Sequence, residues 1–168
     1  MRAAAAVLAV GLSLLAWSAL AAARREGPAG AWLDGAAREG AVEAARRFAA
    51  LSAHLHGSGG DPRFAERLDA DEAVVAELLA EVAFARHAGR VEEPRLVRLE
   101  ALEVRAAGAE VAEVRAREFW VTRTVAAGRE EIRSDVVATR TAMRRGGAGW
   151  RVAGWTVEIP GDGEGGAR

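Results

Sequence analysis

Residues Glu110 to Arg123 read EVAEVRAREFWVTR. Taken alternately, Ala112, Val114, Ala116, Glu118 and Trp120 fall on one side, and Glu113, Arg115 and Arg117 on the other. A period of two with one apolar and one charged side is that of an antiparallel strand lying on a core with its far face in water.

The surrounding sequence repeats the theme. Leu96 to Arg105, Glu131 to Met143 and Trp150 to Ile159 are also strand-like, rich in Val, Thr, Trp and alternating charge. Gly108, Gly128 and Gly146-Gly147 mark short turns between them, so consecutive strands pair as antiparallel hairpins. In the last strand Trp155, Val157 and Ile159 alternate with Trp150, Val152 and Thr156. Large apolar groups therefore sit on both parities there, as in a strand covered on both sides or at an interface.

Upstream the period changes. Ala41, Ala44, Phe48, Leu51 and Leu55 form one helical stripe, ended by GSGGD at 57–61. Asp61-Pro62 restarts a short helix through Phe64 and Leu68. Asp69 with Glu72 reads as a variant capping box for a third helix that buries Val75, Leu78, Leu79 and Val82. Gly89 stops that helix and Pro94 prevents its resumption. Helices first and strands afterwards predict an α+β domain, with N-terminal helices packed on a curved four-stranded antiparallel sheet.

The chain has 168 residues, enough for one compact domain. Its first segment, Ala3 to Ala23 (AAAAVLAVGLSLLAWSALAAA), is uncharged, preceded by Arg2 and followed by Arg24 and Arg25. It reads equally as a cleaved signal peptide, with Ala19-Leu20-Ala21 or Ala21-Ala22-Ala23 as cleavage signal, or as an N-terminal transmembrane helix. Either one preceding the domain delivers it outside the cytoplasm, tethered to the cell membrane as a single-pass protein or free in the periplasm or medium. The expected division is 1–25 signal or anchor, 31–160 folded domain and 161–168 flexible tail.

Composition excludes several chemistries. There are 23 basic residues, all Arg, against 24 acidic ones, and neither Cys nor Tyr. A disulfide scaffold, a zinc-thiolate site, a cysteine nucleophile and a tyrosine donor are ruled out. The charge balance argues against a nucleic-acid partner.

Three helices followed by a four-strand meander resemble the nuclear transport factor two-like (cystatin-like cone, SnoaL-like) superfamily. GAGWRVAGWTVEI at 147–159 is similar to its last hairpin, and REFWVTRT at 117–124 to its long central strand. The resemblance covers roughly residues 41–159. It implies a helix-backed cone, and its members divide into isomerases, dehydratases and cyclases on one side and non-catalytic, membrane-anchored assembly domains on the other. An apolar leader running directly into the domain is the layout of the non-catalytic branch. The enzymes resemble one another in an Asp base with a Tyr or protonated-acid partner, and this chain has no Tyr.

Two carboxylates are candidate catalytic residues. Asp135, in phase with Val137, Thr139, Thr141 and Met143, could enter a cavity as a base, or pair as a structural charge with a cross-strand Arg such as Arg117. Glu118 shares a face with Val114 and Trp120, so it must be paired with Arg or lie near a sheet edge. Trp120, Trp150, Trp155 and His87 are the candidate pocket or interface residues. His54 and His56, two apart, lack metal-binding helical spacing, and no metal or cofactor is expected. The expected role is a non-catalytic extracytoplasmic binding or assembly module engaging a protein partner or an apolar small molecule. An oligomer is left open. The alternatives are a small cyclase or isomerase using Asp135 or Glu118, and a periplasmic carrier of a hydrophobic ligand.

Overall fold

A computed structural model of the chain describes residues 33–108 and 110–158. The leader at 3–23, the linker and the tail after Glu158 lie outside them. Among the described residues no helix is long and apolar enough to cross a membrane.

Among the described residues three helices precede four strands: α1 (Gly35–Gly57), α2 (Pro62–Ala65), α3 (Glu72–His87), β1 (Arg90–Gly108), β2 (Val111–Ala126), β3 (Arg129–Gly146) and β4 (Gly149–Glu158). The strands form one antiparallel meander in the order β1-β2-β3-β4. The α+β architecture read from the sequence is therefore observed.

α1 is capped by Asp34, whose Oδ1 accepts from Ala37 N at 2.6 Å. Its buried face is mostly small: Ala37, Ala41, Ala44, Ala45 and Ala49 around Phe48. Small side chains bring the helix close to the sheet, where Leu99, Ala112, Val114, Ala116, Met143 and Val152 complete the core. The inward row of β2 matches the predicted parity: Ala112, Val114, Ala116 and Glu118 are all buried.

Several expectations need correction. α2 ends at Ala65, so Leu68 lies beyond it, although Asp61 caps it as expected by accepting from Arg63 N at 3.0 Å. The N-cap of α3 is Asp71, not Asp69, and its side chain makes no cap bond. That carboxylate is drawn instead to Arg144 (3.3 Å) and Arg151 (3.1 Å) on the sheet. Meanwhile Val152 N donates to Asp69 O at 2.7 Å and Asp71 N to Val152 O at 2.8 Å, so residues 69–71 strap the helices to β4. On α3 the buried stripe is Val74, Leu78, Val82 and Ala85, with Val75 half-buried beside it.

β1 begins at Arg90 and runs through Pro94. It is an edge strand, where the missing N–H of proline costs no ladder bond if it faces outward. Its register shifts at Leu96/Arg98, Ala101/Glu103 and Ala106/Gly108 are bulges that bend it around the helices. A further shift in the β3–β4 pairing resolves the puzzle of the last strand. Val152 pairs with Met143 and Gly154 with Ala142, leaving Ala153 as the extra residue. The bulge inverts parity midway, so Trp150 and Val152 before it and Trp155 after it all face the core.

Candidate functional site

The inward face of β2 and β3 carries the two carboxylates singled out above. Glu118 is opposite Val137, and Trp120 is opposite Asp135. Glu118 is 3% exposed on a central strand, beside no arginine that bonds it, contrary to the expectation of an Arg partner or an edge position. Its oxygens accept instead from two neutral donors. Thr139 Oγ1 donates to Oε1 at 2.8 Å, and Trp120 Nε1 donates to Oε2 at 2.9 Å. Burial raises the Glu118 carboxyl above the ordinary range, while the bonds from Thr139 and Trp120 pull the other way and lose.

Asp135 does lie on the inward face but is only half-buried, and its partner is Arg133 on its own strand, with Nε donating to Oδ2 at 2.6 Å. Arg117, the cross-strand partner named from the sequence, is on the outward face opposite Ala138. Asp135 and Glu118 therefore share a face without sharing a hydrogen bond.

Trp150 is buried in the core at the far end of the sheet, its ring 6.0 Å from the Arg145 guanidinium. A Cβ on Gly40 would come within 3.2 Å of that indole, so α1 crosses the sheet where glycine lets Trp150 in. Trp120 and Trp155 are half-buried and pack against the same core. His87 is exposed in the last turn of α3 and joins none of the three.

A cleft of about 160 Å³ opens elsewhere, where the end of α1 meets α3 and the start of β1. His56, Ser58, Val82, Arg86, Arg90 and Glu92 line it. His56 Nε2 is 3.8 Å from Glu81 Oε2. Burial lowers the His56 imidazole despite the charge of Glu92, and burial with the charges of Glu77 and Glu92 raises Glu81. Both groups resist charging, so their contact has little ion-pair character. Arg86 closes the rim by donating to Gly59 O at 2.8 Å. The sequence offered no signal for this cleft, because it joins residues from three elements. Among the described residues no cluster of three His, Asp or Glu could hold a metal ion.

The outward face differs in character. At one end Glu158 accepts from Arg115 (2.9 Å) and Arg140 (2.8 Å). Burial pushes its carboxyl up, but the two guanidiniums together outweigh that and leave it below the usual range. At the other end Ile132 and Val136 are 66% and 60% exposed beside half-buried Phe119 and Val121, with Arg98 stacked over Phe119 at 4.1 Å.

No protein-family model matches the chain, and no curated protein matches its sequence. Solved structures do resemble it. The intermembrane space region of the chloroplast protein ARC6 is similar at a TM-score of 0.60 and 15% identity, over 71% of this chain and 95% of that one. A nuclear transport factor two-like protein with a cystatin-like fold from Novosphingobium aromaticivorans is 21% identical over 74% of this chain and 84% of that one, at a TM-score of 0.46. What the ARC6 likeness shows is the fold alone. A cystatin-like domain of unknown function from Nostoc punctiforme is also similar, 21% identical over 73% of this chain and 78% of that one, at a TM-score of 0.39. At these identities the likeness is one of fold, which fixes no activity.

Proposed function

We propose that this protein is a non-catalytic binding or assembly module on the extracytoplasmic side of the membrane, exported or tethered through residues 3–23. The observation that carries the non-catalytic reading is the state of Glu118. The carboxyl with the most perturbed surroundings on the inward face is enclosed, and both oxygens are occupied by Thr139 and Trp120. Perturbed acids often mark catalytic sites, but a base must reach a substrate proton. Here the lone pairs turn into the core. The Trp120 indole N–H is engaged in the same contact. Exposed Ile132 and Val136 on the outward face offer a protein partner apolar surface. The placement of a similar fold in an intermembrane space, as in ARC6, agrees with an extracytoplasmic setting.

The test is carboxyl labelling of the full chain under native conditions, with a water-soluble carbodiimide and an amine, read peptide by peptide. Glu118 should stay unmodified while the exposed Glu39 and Glu66 react. Modification of Glu118 at the rate of those exposed residues would mean an open, reactive carboxyl and would overturn the reading.

A further inference from the structure

β4 is ten residues long and pairs with β3 only from Ala138 to Gly146. Residues 129–137 of β3 thus have β2 on one side and, among the described residues, no strand on the other. A free edge offers a row of backbone donors and acceptors to any strand of matching register, and proteins usually block it. The other edges here are blocked. β1 carries Pro94 and three bulges. β4 carries the bulge at Ala153 and is strapped by residues 69–71. The segment 129–137 has no proline, and its pairing with β2 runs without a register shift. Pro160, two residues after Glu158, has no N–H to give a strand ladder.

We propose that this edge is a docking site for a second copy of the chain, joined antiparallel about a two-fold axis at Ile132. The argument is complementarity. With Ile132 facing Ile132, Glu131 faces the partner's Arg133 and Arg129 faces the partner's Asp135, each twice by symmetry, all on the inward side. On the outward side Glu130 faces the partner's Ser134. No like charges meet, and directly opposed pairs of this kind are the unit of sheet stabilisation. Moving the axis to Arg133 sets Arg133 against itself and Glu131 against the partner's Asp135. Moving it to Ser134 restores favourable pairs but brings the partner's Glu130 opposite Ala138, a place already held by Glu158. The axis at Ile132 stops just short of that collision, because the two-residue turn Ala127-Gly128 ends the partner's hairpin there. The contact also brings the exposed Ile132 side chains together. The inference does not depend on the cellular compartment.

Three charge states of the full chain test it, with mass in solution measured against concentration. The unaltered chain should reach twice the monomer mass. Glu131→Arg and Arg133→Glu should each weaken self-association roughly tenfold or more, since each puts like charges together at two symmetric places. Mixed in equal amounts, the two variants should pair with each other, because the arginine introduced in one then meets the glutamate introduced in the other. Register is read from cysteines, which the chain lacks. Ile132→Cys should give a covalent dimer with a short bis-thiosulfonate, and Ser134→Cys should not, its copies lying roughly 13 Å apart along the strands. A chain that stays monomeric at all concentrations overturns the proposal. So does a variant mixture that stays apart, or cross-linking at position 134 in place of 132.

Discussion

Glu118 shows how a single buried acid can be accommodated without a counter-charge. A carboxylate taken out of water onto a central strand is costly unless its oxygens are bonded. Thr139, fully buried, and the Trp120 indole supply those bonds, but both donors are neutral. The folded state therefore holds a proton more tightly than the unfolded chain does. By linkage, the stability associated with this group is fully present below the unfolded carboxyl value and is lost as pH rises through the raised folded one. Glu118→Gln is isosteric, can accept from Trp120 and donate to Thr139, and carries no charge. Chemical denaturation of both proteins across pH should give a difference in favour of Gln that grows as pH rises through and above the ordinary carboxylate range. A difference independent of pH would contradict the shift. Glu118→Ala leaves Thr139 and Trp120 unpaired next to a void and is expected to cost about 2 kcal/mol or more at neutral pH. The inward placement of Glu118 was legible in the alternation around it. Its partners were not, since an uncharged threonine on the next strand has no signature in one sequence.

At the scale of elements, hairpins, helix order and the inward row of β2 followed from period and turn residues. The misreadings share one cause, tertiary context overriding a local signal. Asp69 with Glu72 has capping-box spacing, yet ion pairs to the sheet took Asp71 out of capping and fixed the helix start. The double-sided last strand was a real signal of an irregularity, because large side chains on both parities are what a bulge leaves in a sequence. The helix ends before Gly89 and does not resume at Pro94, as read; what the sequence did not show is that β1 already begins at Arg90, on an edge that tolerates the proline. Two measurements belong here. Asp34→Ala should lower stability in thermal or denaturant unfolding by about 1 kcal/mol, the usual worth of an N-cap. Arg151→Ala removes both its ion pair to Asp71 and its bond to Ala70 O, and should loosen the strap. The signature is faster amide exchange at Asp71 and Val152 with little change in the core strands.

The described residues form an alanine-faced helix laid in a bent meander, with the core between α1 and all four strands through Leu99, Val114, Met143 and Val152. Met143→Ala, at a fully buried position, is expected to cost about 2–5 kcal/mol in equilibrium unfolding. A comparable change at exposed Ile132 should leave folding nearly intact and act only on association. The extracytoplasmic part of the proposal rests on the apolar leader at 3–23, and the non-catalytic part on the enclosed Glu118 carboxyl. The absence of native cysteine allows a direct measurement. Val136→Cys, on the exposed outward face, can be probed in intact bacterial cells expressing the full chain with a thiol reagent that does not cross the cytoplasmic membrane. An extracytoplasmic module is labelled in intact cells to the same extent as after lysis. Labelling only after lysis would place the domain in the cytoplasm and contradict the account.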